Sequence, residues 1–204
     1  MDDAIARLLD YWFGPESETE EALNRRFERW FRPDSATDAE VAQRFGVLAE
    51  RAARGDLDDW AATARGRLAL ILLLDQLPRQ LHRGSAAAFA SDEKAFRLAI
   101  DGVESGMDLE LGPLRRAFFY MPLQHAEDLV AQELSVRKFR ALCELPGTPD
   151  HVQRKLESFA EYAKLHRDIV ARFGRFPHRN RSLGRGDTPE EREFLDAGGP
   201  SFGQ

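Results

Sequence analysis

The chain has 204 residues, of which 43% are hydrophobic and 31% charged, and a formal net charge of -6. That length suits a single domain, 1–204, whose core needs no covalent staple. The lone cysteine, Cys143, excludes an internal disulfide and reads as a small core residue on a helix. The acidic balance speaks against nucleic-acid binding, which needs a net basic face. The longest apolar run, Leu68 to Leu74, is too short to span a bilayer, and no basic leader followed by an apolar stretch opens the chain. No membrane association is expected, and the expected location is the cytoplasm.

Helical periodicity runs throughout, without a strand-like alternation of useful length. Residues 4–13 form a first helix, with Ile5, Leu8, Leu9 and Trp12 on one side and Gly14-Pro15 as its stop. Ser17 with Glu20 predicts a capping box for a helix through Leu23, Phe27, Trp30 and Phe31, stopped by Pro33. Thr37 with Glu40 repeats the device for a helix through Val41, Phe45, Leu48 and Ala52, closed by Gly55. A turn around Asp58 and Trp60 precedes Leu68–Leu81, apolar on nearly every side and hence the expected central helix.

Asp92 is the expected cap of a helix through Phe96 and Ile100. From Pro113 a helix carrying Phe118 and Phe119 runs to about Leu145, kinked or restarted by Pro122. A long helix spans about 150–173. Thr188-Pro-Glu-Glu191 then combines a hydroxyl cap, proline at the first helical position and acids in the first turn. The remainder, 198–204, reads as loop. The expected fold is an all-α, single-domain array of about eight helices.

Three segments carry candidate chemistry. Asp75 sits inside Leu70-Ile-Leu-Leu-Leu-Asp-Gln-Leu-Pro-Arg79, where burial of an unpaired charge would be costly. Arg79, one turn on, supplies an i,i+4 partner. Pro78 lacks an N–H and so leaves the Leu74 carbonyl without its usual donor. Such a pair either pins the central helix to a neighbour or belongs to a site.

In the second segment, Gln124, His125 and Asp128 lie along one stripe of a helix, with Glu127 in the same cluster. An aspartate three residues after a histidine can orient its imidazole as general acid–base chemistry requires. The competing reading is a satisfied core histidine.

The third segment is Arg172-Phe-Gly-Arg-Phe-Pro-His-Arg-Asn-Arg-Ser-Leu-Gly-Arg185, which holds five arginines, His178 and no acid in an acidic chain. His166 lies two turns before its start. Guanidinium forks on Arg175 and Arg179, with Asn180 beside them, suit carboxylate or phosphate. Equally, the loop can lock onto Asp75, Glu127 and Asp128 and hold the fold together. His125, Glu127, Asp128, His166 and His178 could ligate a metal, but no HExxH or paired-cysteine spacing occurs and the arginines would repel a cation. No metal and no cofactor are expected. A nucleophile elbow, a phosphate-cradling glycine loop and a dinucleotide fingerprint are all missing.

These segments resemble the mainly bacterial family defined by domain of unknown function 924. The resemblance rests on Asp10-Tyr-Trp-Phe-Gly14, residues 66–79, residues 118–129 and Phe173-Gly-Arg-Phe-Pro-His-Arg-Asn180. Leu183-Gly-Arg185, Thr188-Pro-Glu-Glu191 and Phe194-Leu195 continue it. Ala64 stands where the family would have proline. The resemblance implies a tetratricopeptide-repeat-like helical superhelix and no established activity. It also implies that Asp75, Arg79, His125, Glu127, Asp128, His178, Arg179 and Asn180 are motif positions.

The functional expectation is a pocket for a small anionic ligand. Arg79, Arg175 and Arg179 take the negative group, His125 and His178 handle protons, and Asp75 orients one of them. The alternative is a helical-repeat-like scaffold that takes an acidic peptide, with the polar cluster as internal struts. Exposed aromatics such as Trp30 or Phe202 either support a dimer or pack internally.

Overall fold

The computed structural model describes residues 2–15 and 19–203. Its helices are α1 (Asp2–Phe13), α2 (Glu20–Phe31), α3 (Ser35–Arg54), α4 (Ala64–Ile71), α5 (Leu77–Leu81), α6 (Asp92–Glu104), α7 (Pro113–His125), α8 (Leu129–Cys143), α9 (Asp150–Phe173) and α10 (Pro189–Asp196). Short 3-10 turns at Asp58–Ala62, Ala86–Phe89, Met107–Glu110 and Pro177–Arg179 link them. No strand forms among the described residues, so the fold is all-α and single-domain. No described helix is long and apolar enough to cross a membrane.

The helix starts follow side-chain chemistry, at two places differently from expectation. Ser17 lies outside the described residues; α2 begins after Thr19, whose hydroxyl accepts from the Ala22 amide. The third helix starts at Ser35, ahead of the expected Thr37 cap. Asp34 takes both the amide and the hydroxyl of Thr37, at 2.9 and 2.6 Å. A carboxylate that precedes the hydroxyl and captures it displaces it as cap. Gly55 closes α3 in the left-handed region, at φ +91°.

The central rod is α4, a π-helical turn at Leu72–Gln76, and α5 in unbroken succession. Every residue from Leu68 to Gln80 is buried, as the apolar run requires. Within the π turn the Leu77 amide reaches the Leu72 carbonyl, one residue further than an α-helix would. The widened turn comes just before Pro78, whose ring would crowd the carbonyl four residues back in regular α geometry. Gly66 lets the start of the rod touch the preceding turn, because a Cβ there would lie 2.1 Å from the Trp60 carbonyl oxygen.

Around the rod, α7 packs on α8 and α8 along α9, while α3 lies against α5 and α6 against both α4 and α7. An aromatic cluster joins the layers: Trp30 meets Phe118 at a ring separation of 4.6 Å, and Phe159 sits 5.4 Å from Phe27. Close-packed rings of this kind give the core a rigid floor.

Two further expectations need correction. Ser91, not Asp92, occupies the N-cap position of α6 and makes no side-chain cap, which leaves the Asp92 carboxylate for other partners. The helix does not restart at Pro122, which lies inside α7; α7 continues to His125, the chain turns out at Ala126, and Asp128 caps α8 by accepting from the Ala131 amide at 2.8 Å. The segment from Pro113 to about Leu145 is therefore two helices, with Glu127 and Asp128 in the corner between them. At the end of α9, Gly174 adopts φ +70°, and α10 opens on the expected Thr188 hydroxyl cap, which Glu191 completes as a reciprocal capping box.

Candidate functional site

Asp75 is the buried centre of the site, with no exposed surface. The π turn aims it across to α7, where its Oδ1 lies 2.7 Å from Nδ1 of His125. Its other oxygen accepts from the side-chain Nε2 of Gln76 at 2.6 Å, and Arg79 Nη1 stands 3.3 Å from Oδ1. The same Nη1 also donates to the Asp75 backbone carbonyl at 2.7 Å. Burial pushes the Asp75 carboxyl up, but His125 and Arg79 together outweigh it and hold the group well below the usual carboxylate range.

His125 responds in the complementary direction. Desolvation first, and then the charge of Arg79, pull its pKa below 6.5 against the opposing effect of Asp75. At neutral pH the pair is thus a carboxylate and a neutral imidazole that donates through Nδ1. Nε2 keeps its lone pair. Asp128, expected to orient this ring, does not: it is engaged as the cap of α8.

A second acid ties the central rod to the arginine loop. Asp92 accepts from Arg79 through both oxygens, at 2.9 and 2.8 Å, and from Arg179 at 3.3 Å. Arg179 is buried, and its guanidinium pKa falls to about 10, through desolvation and then the neighbouring charge of Arg79. Its ring-facing side lies 4.5 Å from the Phe176 centroid.

The remainder of the cationic loop forms a lock. Arg185 grips Glu127 with two bonds of 2.6 and 2.8 Å, and the same carboxylate accepts from the Phe176 amide at 2.8 Å. Arg175 grips Glu191 in the same way, at 2.6 and 2.8 Å. Asn180 bridges Asp187 and Arg185. Hydrogen bonds from Arg175 lower the Glu191 carboxyl to about 2. So Arg175, Asn180, Glu127 and Asp128 serve the fold. Asp75, Arg79, Gln124, His125 and His166 converge elsewhere.

Their meeting place is a cavity of about 260 Å³. Its polar wall comprises Gln76, Arg79, Gln80, Arg83, Gln124, His125 and His166. Phe27, Trp30, Phe31, Phe159 and Tyr162 supply its aromatic lining. No carboxylate lines it; Asp75 stands behind His125. His166 donates through Nδ1 to the Tyr162 carbonyl at 2.7 Å, and burial holds it neutral, well below its ordinary value. The rings of His125 and His166 are 6.0 Å apart. His178 packs against Phe176 and Phe202 and does not line the cavity; desolvation lowers its pKa to about 3. Among the described residues, Gln80 Oε1, Gln124 Oε1 and His178 Nδ1 are buried without a hydrogen-bond partner.

Sequence reasoning missed Asp92, Gln76, Gln80, Arg83 and Phe202 as parts of this arrangement. Gln76, Gln80 and Arg83 continue the Asp75–Arg79 face at spacings of three and four, a signal the sequence does contain. Asp92 had only its apparent capping position, which concealed the pairing. No group of three or more potential ligands able to hold a metal occurs among the described residues.

Fold and site together define an all-α protein with a buried Asp–His–Arg cluster beneath a half-aromatic, half-polar cavity. The chain belongs to the family described as bacterial protein of unknown function (DUF924), whose model matches residues 8–199. Among solved structures it is similar to a protein of unknown function from Agrobacterium tumefaciens, with 37% sequence identity and a TM-score of 0.80. That likeness covers 96% of this chain and 98% of the other. No functionally curated protein matches it.

Proposed function

We propose that this is a small-molecule-binding protein whose cavity takes a compact anionic ligand and can carry out acid–base chemistry on it. The location in keeping with this reading is the cytoplasm. Arg79 and Arg83 take the acceptor end of the ligand, and Nε2 of His125 is the proton acceptor, with Asp75 holding the ring and stabilising the imidazolium. Arg175 and His178, which the sequence had suggested for these tasks, have no part in it.

The observation that carries the reading is the 2.7 Å Asp75–His125 bond set behind a cavity whose lining includes Arg79, His125 and His166 and no acid. A neutral imidazole held through Nδ1 by a buried carboxylate, in the lining of a cavity, is the arrangement of a general base. Gln80 and Gln124, both in the lining, carry buried side-chain oxygens that have no hydrogen-bond partner within the fold.

The test is a thermal melt with millimolar phosphate, succinate or malonate. A rise in Tm that disappears in Arg79→Gln and His125→Gln supports the reading. Unchanged melting with every one of these anions sinks it. The second reading, a helical-repeat-like scaffold for an acidic peptide, has its support in the ion pairs of residues 172–185, which act as struts. Those same pairs neutralise the positive surface that such a peptide would seek.

A further inference from the structure

The segment that follows α10 returns to the cavity. Phe202 stacks on His166 with ring centroids 3.8 Å apart and planes 24° apart, and Gly203 offers its carbonyl to Arg83 Nη1 at 3.1 Å. Phe202 and Gly203 both belong to the cavity lining. Arg83 is otherwise committed to Asp38, through Nε and Nη2 at 2.9 and 3.1 Å, so Nη1 is the donor that faces the cavity side. Among the described residues, Phe202 is the non-glycine residue held at positive φ, +54°. An L side chain with a bulky ring rarely adopts that conformation, so the contact is retained against local strain.

The two subsites so occupied have distinct chemistry. One is a flat slot floored by the neutral His166 imidazole, with the rings of Phe176 and His178 at 6.4 and 5.4 Å from the Phe202 ring. The other is a guanidinium N–H that wants an oxygen acceptor. Beyond them the open volume is bounded by the aromatic wall and leads to His125. A phosphate alone would leave the slot and the aromatic wall without apolar contact. A ring without an acceptor would leave Arg83 Nη1 without a partner once Gly203 moved, though Asp38 would still hold Nε and Nη2.

We infer that the cavity's ligand is an aryl carboxylate, and that Phe202 and Gly203 stand in its place: the ring of Phe202 holds the aryl subsite on His166, and the Gly203 carbonyl holds the carboxylate subsite on Arg83. This rests on the reading of the cavity as an anion pocket and narrows it to a ligand class. The segment then acts as a tethered competitor. Ligand must displace it, so the apparent affinity equals the intrinsic affinity multiplied by the fraction of molecules with the segment out.

The test compares three proteins: the full chain, a chain ended at Pro200, and the full chain carrying Phe202→Ala. Four probes are titrated calorimetrically: 3-phenylpropanoate, propanoate, 3-phenylpropanol and inorganic phosphate. The expected result is that 3-phenylpropanoate binds all three proteins, and binds the two altered ones about tenfold or more tightly than the full chain, the competitor having been removed. Propanoate and 3-phenylpropanol, each half of the ligand, bind far more weakly. Should the chain ended at Pro200 fail to fold, Phe202→Ala gives the same reading.

Equal or weaker binding of 3-phenylpropanoate after loss of the segment overturns the inference, since Phe202 would then be wall and not competitor. Binding of phosphate or propanoate alone, with no gain from the aryl group, overturns the ligand class and leaves the anion pocket standing. Absence of binding by all four probes takes both readings down together.

Discussion

Asp75 and His125, fifty positions apart in the chain, meet through a single 2.7 Å bond between Oδ1 and Nδ1. The carboxylate is fully buried on the central rod, and the ring sits in the last turn of α7. The carboxylate also has Arg79 and Gln76 beside it, whereas the buried imidazole N–H is satisfied by Asp75. The bond therefore couples the fold of the rod to the chemistry of the cavity.

Asp75→Asn tests that coupling. The substitution keeps the shape but leaves Arg79 and the imidazole N–H without the charge they face. Removing one partner of a buried ion pair costs about 3–5 kcal/mol, and the loss is expected near the lower end because Arg79 keeps Asp92. His125→Asn should cost less, because the carboxylate retains Arg79 and Gln76. Urea denaturation should show the midpoint falling for both in that order, at constant m-value. The reverse order would remove Asp75 from the centre of the network.

Acid should destabilise the protein earlier than its carboxylates alone would dictate. His125, His166 and His178 all have folded-state pKa values below 6.5, through burial foremost. A depressed histidine binds its proton in the unfolded chain first, so its contribution is complete above about 6.5 and is lost as pH falls toward the folded value. Each contributes up to about 1.4 kcal/mol per pH unit across that window. For His178 the window extends down to about 3. Asp75, Glu127 and Glu191, all lowered, add a second decline beginning near the ordinary carboxylate values. Denaturant melts should show stability level above about pH 7 and falling below it, and His178→Leu should remove about one proton from the slope between about pH 5 and 6. An unchanged slope would mean that His178 is protonated in the fold.

How much of this was legible in the chain differs from element to element. The Leu68–Leu74 run announced the buried rod, and Gly55, Gly174 and Thr188–Glu191 announced helix ends, because those signals are local. The pairing of Asp75 with Arg79 followed from spacing. The resemblance on residues 66–79, 118–129 and 173–180 picked out motif positions, and the fold brings Asp75, Arg79 and His125 from these together. It could not divide cavity residues from lock residues, because that depends on which way α7 ends. With Pro122 inside the helix and the break at Ala126, Asp128 moves off the His125 stripe and becomes a cap. Asp92 went unnoticed because its partners Arg79 and Arg179 lie 13 and 87 positions away. Nothing in local sequence announces a carboxylate shared between two distant guanidiniums. The role of Phe202 likewise depends on a docked loop and not on any periodicity.

Glu127→Ala should release residues 174–187 without collapsing the core. Glu127 holds both Nη atoms of Arg185 and the Phe176 amide, and burial apart, its hydrogen bond to Arg185 is what keeps its carboxyl low. Hydrogen bonds to a charged group contribute about 1.5–3 kcal/mol each at most, and partial exposure of this pair brings the expected total to about 2 kcal/mol. Hydrogen exchange should accelerate in residues 174–187 while the amides of α4 and α5 remain protected. Acceleration spread evenly over α4 and α5 would show that the lock is part of the core and not an addition to it.

Asp92 is where the strut and pocket readings part. It accepts from Arg79 on the cavity side and from Arg179 on the loop side, so its single charge separates two guanidiniums, of which Arg179 is depressed by burial first and then by the charge of Arg79. Asp92→Asn removes that charge and keeps the side-chain volume. Two cations then face each other with too little negative charge between them, and stability must fall, by the few kcal/mol typical of an unpaired buried ion. If Arg79 reaches the cavity as a ligand-binding group, an external anion can take up part of the missing charge. Millimolar phosphate should then raise the Tm of Asp92→Asn by more than it raises that of the parent chain, with the gain following RT ln(1 + [L]/Kd). If the arginines are struts alone, phosphate has no access to them and both proteins should respond alike. Melting curves over a phosphate titration at constant ionic strength decide between the two, because general screening is then the same for each.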